Sequence, residues 1–129
     1  MKITSLMDDY CQRSGLCGEH GLSFFLEVNG FRILFDMAQT ARFLENALRL
    51  DIDLASIHMI VLSHGHYDHG GGLPYLLKKL GDKPVLFFAG SGFDAAKEAV
   101  SGDARRRIGI GESLPSSLKE RVFVVEAPK

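Results

Sequence analysis

Residues 22–35, LSFFLEV-NG-FRILF, constrain the fold of this chain more than any other stretch. Two apolar, β-prone runs flank Asn29-Gly30, the pair that best tolerates positive φ at both central positions of a type I′ turn. The segment therefore predicts a β-hairpin. The rest of the chain reads as alternating elements. TARFLENALRL (40–50) places Phe43, Leu44, Ala47, Leu48 and Leu50 near helical spacing, with Thr40 as an N-cap. IHMIVLS (57–63) is a short, β-branched run and predicts a buried strand. The glycines Gly70 to Gly72 permit unusual backbone angles, and GLPYLLKKLG (72–81) then predicts a helix closed by Gly81. PVLFFA (84–89) predicts a strand, DAAKEAV (94–100) a helix, and RVFVVE (121–126) a last strand. Hairpin strands first, then strands alternating with helices, give a layered α/β (α+β) architecture.

The 129 residues fit one domain, 1–129, with room for a hydrophobic core. Fifteen basic against 16 acidic residues leave a net charge of −1, which draws neither nucleic acid nor an anionic membrane over long range. Arg105, Arg106 and Arg107 are the one basic run; a solvated face is the ordinary reading, a phosphate contact the sharper one. The start, MKITSLMDDY, lacks the apolar stretch of a signal peptide. No apolar run approaches the roughly 20 residues of a membrane helix. These features predict a cytoplasmic protein, in which Cys11 and Cys17, outside any C-x-x-C spacing, are free and incidental thiols.

The chemistry lies in SHGHYDHGGGL (63–73). His64, His66, Asp68 and His69 put four metal-ligand side chains into six positions, between a buried strand and three glycines. Imidazole nitrogen and carboxylate oxygen suit zinc, iron or manganese rather than a thiolate-seeking metal. Histidines two apart on an extended loop can grip one ion, while Asp68 and His69 reach a second. Two metals about 3.5–4 Å apart clamp the oxygens of a substituted phosphate or carbonyl. An incidental cluster of histidines is the bland alternative, and the clustering at a strand end argues against it.

SHGHYDHGGGL resembles the metal-binding signature of the metallo-β-lactamase superfamily. Within it the chain is similar to a branch of bacterial and archaeal proteins related to dihydropterin ribofuranosylaminobenzene-phosphate synthase. EHGLS (19–23), the N-G hairpin, ILFD (33–36), NALRLDIDL (46–54) and IGI (108–110) carry that similarity along nearly the whole chain. The resemblance implies that His64 and His66 hold a first metal and that Asp68 and His69 hold a second, with zinc ahead of iron and manganese. It implies that Asp36 lies beneath the metal loop and supports it, although DMA stands where the family usually has D-T-G. Asp68 is also the catalytic candidate, helping to manage the proton on a bridging water. His20 either faces the substrate or is structural; His58, outside the cluster, reads as structural.

The donor set is incomplete. No histidine follows His69, whereas the family expects a later histidine for the first metal, a bridging aspartate and a final histidine. Asp82, Asp94, Glu98, Asp103 and Glu112 stand in no recognisable ligand context. The fold implied is the N-terminal half of a metallo-β-lactamase-type αβ/βα sandwich, and a truncated or split member is expected because the first-half motifs are intact. The expected function is that of a metal-dependent hydrolase-fold protein, or related transferase, acting on a small phosphorylated or pterin-like substrate through two divalent ions. A non-catalytic metal-binding or interaction module is the alternative class, and a pterin- or nucleotide-binding protein without metal is a third. An apolar sheet face left open by a missing half predicts a second chain, or self-association, as partner.

Overall fold

The computed structural model describes residues 1–111, 114, 115, 118 and 121–126. Asn29 (φ 49°) and Gly30 (φ 82°) both adopt the left-handed conformation that a type I′ turn requires. They join the first two strands of the predicted hairpin, Ser23–Val28 and Phe31–Phe35, whose register runs from Phe24 opposite Phe35 to Val28 opposite Phe31. An earlier strand, β1 (Lys2–Met7), pairs antiparallel with the first of them, so these are β2 and β3. β1 has no clear alternation in sequence. An irregularity between Ser5 and Met7 turns the consecutive Leu6 and Met7 both inward, which breaks the period of two.

Past the hairpin the sheet becomes parallel. β4 (Met59–Leu62) lies beside β3, and β5 (Leu86–Gly90) beside β4. Between β3 and β4 runs α1 (Arg42–Arg49); between β4 and β5 run the short α2 (Tyr67–Gly70) and α3 (Leu73–Leu80). The N-cap of α1 is Ala41, which makes no side-chain cap, rather than the expected Thr40; one residue earlier, the Thr40 Oγ1 accepts from the Arg42 N–H at 3.2 Å. The hydroxyl is itself held by Glu19 at 2.8 Å. Phe43 and Ala47 are buried, but Leu48 is 77% exposed and its place on the inner face goes to Asn46. Asn46 donates to the carbonyls of Leu6 and Cys17, both at 2.8 Å, and accepts from the Cys17 N–H at 3.0 Å. A buried amide with its hydrogen bonds made ties β1 and the segment after it to α1.

Two expectations need correction. Residues 94–100 are not a helix: β6 (Glu98–Ser101) pairs antiparallel with β7 (Ala104–Arg107) in a separate two-stranded ribbon. A seven-residue run, five of it Ala, Lys and Glu, is too short for propensity to decide. The turn beginning at Gly102 (φ 59°) and the Glu98–Arg105 ion pair favour the hairpin. The glycines at 71 and 72 also have ordinary angles, φ −60° and −79°. What they supply is close approach. A Cβ on Gly72 would sit 2.0 Å from the Met37 carbonyl oxygen, and one on Gly71 2.4 Å from that of Gln39.

The last strand, β8 (Val122–Val125), completes a six-stranded sheet of order β1-β2-β3-β4-β5-β8. Leu34, Ile60, Leu62, Phe87 and Ala89 point from it into the core with Phe43, Leu73 and Leu76. The opposite face is partly open: Leu86, Phe123 and Val125 are 46%, 55% and 55% exposed, and Phe88 stacks on Phe123 at 5.2 Å. Among the described residues no helix is long and apolar enough to cross a membrane.

Gly72→Ala is expected to lower the unfolding free energy by about 1–3 kcal/mol, because a backbone carbonyl must move to admit the methyl group. Urea denaturation reads this as an earlier midpoint, and an unshifted midpoint would contradict the close packing of the glycine turn on residues 37–40.

Candidate metal centre

The site sits at the carboxyl ends of adjacent parallel strands, where open α/β sheets place ligands. β4 ends at Leu62, and Ser63 to His66 cross to α2. Gly65 allows this crossing, since a Cβ there would meet the Phe93 carbonyl oxygen at 1.7 Å. On the neighbouring strand β3 ends at Phe35, and Asp36 turns with φ 57°, its N–H donating to the Val61 carbonyl at 2.9 Å. Asp36 is fully buried. Its Oδ1 accepts from the Ser63 N–H at 2.8 Å, and its Oδ2 accepts from the Ser63 hydroxyl and from His69 Nδ1, each at 2.6 Å. The aspartate beneath the loop therefore binds both ends of the loop.

These bonds determine which nitrogens face outward. His69 spends Nδ1–H on Asp36, which leaves the Nε2 lone pair available. The Ser63 hydroxyl has given its hydrogen to Asp36, so His64 Nδ1, 2.9 Å from Ser63 Oγ, is the donor of that pair. His64 likewise offers Nε2. Burial, followed by the nearby His69 and His66, holds the His64 pKa below the ordinary histidine value and favours the neutral, ligating form.

His64, Asp68 and His69 each bring a ligand atom within 4.8 Å of the others, and they are the one such trio among the described residues. The expected ligand His66 is not part of that group, although its ring centroid lies 4.6 Å from that of His64. Two nitrogens and a carboxylate oxygen are a donor set that zinc or iron accepts, so the residues present fit a divalent cation. His20 reaches the same place: Nε2 lies 3.2 Å from Asp68 Oδ2, and Nδ1 lies 3.3 Å from Asp9 Oδ2. Asp9, which nothing in the sequence pattern singles out, also accepts from the Gly21 N–H at 3.1 Å. That backbone bond, and then the His20 side chain, hold its pKa below the usual carboxylate value. His58 is structural, accepting at Nδ1 from the Arg32 N–H at 2.9 Å. Glu98 is engaged with Arg105, and Asp82, Asp94 and Asp103 join no ligand trio among the described residues. Glu112 lies outside the described residues.

Known proteins of one superfamily resemble this chain in sequence and fold. Residues 18–87 match the profile of the Metallo-beta-lactamase superfamily. The 7,8-dihydropterin-6-methyl-4-(beta-D-ribofuranosyl)-aminobenzene-5'-phosphate synthase of Methanocaldococcus jannaschii is 45% identical over 95 residues, which are 69% of this chain and 32% of that protein. An uncharacterised protein of the same archaeon is 37% identical over 113 residues, 85% of this chain and 42% of its own length. Among solved structures, that of Tm1679, a metal-dependent hydrolase of the β-lactamase superfamily, superimposes with a TM-score of 0.60 at 25% identity. The alignment covers 98% of this chain and 42% of Tm1679. The chain thus spans less than half the length of these relatives.

Asp36→Asn keeps the volume but replaces a charge-assisted acceptor with an amide. We expect a loss of about 2–3 kcal/mol in unfolding free energy, in keeping with hydrogen bonds to charged groups. Urea unfolding measures it, and a variant as stable as the parent would contradict Asp36 as the anchor of the loop.

Proposed function

This chain belongs to the metallo-β-lactamase superfamily, and from that premise we propose that it forms one αβ half of a metal-dependent hydrolase, or related transferase, acting on a small phosphorylated molecule. The observation that carries the reading is the convergence of His64, Asp68 and His69, with both imidazoles anchored through Nδ1. His64, His66, Asp68 and His69 would hold two divalent ions, zinc first. A bound cation supplies positive charge that polarises a substrate oxygen and acidifies water.

The chain's own residues do the rest of the work assigned here. Asp36 holds the tautomers of His64 and His69 and keeps their rings in place, the usual task of a carboxylate behind a ligating histidine. Asp68 would take and return a proton, a role supported by the closeness of its Oδ2 to His20 and His69. His20 passes that position on to Asp9. The open face of the sheet and the trio of donors both fit completion by a second αβ half, from another chain or from a copy of this one. A groove of about 510 Å³ lined by Val61, Ser63, Phe88 and Val125 runs along that face towards the site. The two free cysteines suit a reducing compartment such as the cytoplasm. A non-catalytic metal-binding module is the second reading, favoured by the limit of three converging donors among the described residues.

Zinc binding to the metal-stripped chain, followed with a competing chromophoric chelator, tests the reading. His64→Ala and His69→Ala are each expected to weaken zinc binding by about tenfold or more, while His58→Ala leaves it unchanged. A parent chain that takes up no zinc defeats the proposal. Turnover of an aryl phosphodiester on adding Zn²⁺, Mn²⁺ or Fe²⁺ supports the enzyme; tight zinc without turnover, even with the complementary half supplied, supports the module.

A further inference from the structure

The basic run Arg105-Arg106-Arg107 occupies β7, and alternation along the strand sends Arg106 to the face opposite its two neighbours. Arg105 reaches Glu98 at 3.4 Å, and Arg107 also has a partner. Arg106 lies over the ring of Tyr67, its guanidinium carbon 5.4 Å from the ring centroid. Tyr67 is the residue before Asp68, and its ring is 6.1 Å from that of His20. The backbone enforces this placement. Tyr67 N–H donates to the Ile108 carbonyl at 2.8 Å, Ile110 N–H donates to the Gly65 carbonyl at 3.1 Å, and His66 and Gly109 form a bridge between the segments. A distant strand is thus stitched to the histidine loop within two residues of Arg106.

Resting on the function proposed above, we infer that Arg106 is a specificity-determining residue that binds the phosphate of the substrate at the rim of the metal centre. Seated over the Tyr67 ring, the guanidinium keeps its fork of N–H donors, whose geometry matches a phosphate bidentately. The stacking also limits the rotamers that an exposed arginine would otherwise explore. Charge supports the same role. Asp9 and Asp68 stand on this rim, joined through His20, so a dianionic group arriving there meets carboxylates unless a cation compensates. Among the described residues Arg106 is the cation stacked on the loop that carries Asp68.

Ribose 5-phosphate and ribose are the probes, titrated into ¹⁵N-labelled, metal-stripped chain and into zinc-loaded chain. The parent is expected to bind the phosphate ester more tightly than the sugar, with the Arg106 Nε–H resonance shifting. Arg106→Ala is expected to weaken ribose 5-phosphate by about tenfold to a hundredfold and to leave ribose unchanged; Arg106→Lys is expected to fall between. A parent that does not prefer the phosphate ester, an alanine variant within twofold of the parent, or a lysine variant with full affinity each overturns the assignment. Zinc titration of the same proteins is the separate readout. Loss of zinc binding in the parent defeats the metal reading, whereas unchanged zinc binding in Arg106→Ala with lost phosphate affinity confirms the rim contact alone.

Discussion

The site depends on one buried carboxylate. Asp36 receives three hydrogen bonds from two residues that lie on either side of the histidine loop. Burying a carboxylate is costly unless its oxygens are satisfied, and here each has a partner. The strand end is committed to this arrangement in its backbone too. Asp36 and Ala38 both take positive φ, at 57° and 53°, a conformation that few side chains adopt without compensation. The compensation is visible in the following bonds: Met37 N–H donates to the His69 carbonyl and Ala38 N–H to the Leu22 carbonyl, at 2.6 and 2.9 Å. A strained turn, the histidine loop and the start of β2 are therefore one connected unit.

Much of that unit was legible in the sequence for definite reasons. Asn29-Gly30 specifies its turn because both residues must take positive φ, and they do. His64, Asp68 and His69 stood out by spacing, and the fold brings them together. Asp36 was reached by resemblance rather than by pattern, since a lone aspartate after a strand carries no local mark. Asp9 and Asn46 were missed because their partners lie 11 and more residues away: His20 for the first, Leu6 and Cys17 for the second. The glycine run was noticed but misread. Its purpose depends on the backbone of residues 37–40, which the local sequence does not report. Residues 94–100, which run into β6, were read as helix because alanine-rich propensity says nothing of a long-range docking on residues 65–67.

Membership of the superfamily goes with one group of converging donors, His64, Asp68 and His69, among the described residues. The two archaeal relatives and Tm1679 are each roughly twice its length. The open side of the sheet lies next to Ser63, one residue from His64, so the face and the ligand set adjoin. Whatever covers the one is close enough to contribute to the other.

The position of β8 has a further consequence. It is the outermost strand of the sheet, an uncharged Val-Phe-Val-Val run with the last three residues more than half exposed. An edge of that kind recruits strands in the plane of the sheet, through its unpaired backbone groups. Covering the open face is a different event, in a perpendicular direction and through side chains. A strand added at the edge would leave the apolar face and the histidine loop as they were. A layer laid on the face would instead meet the groove that includes Ser63, the residue before His64.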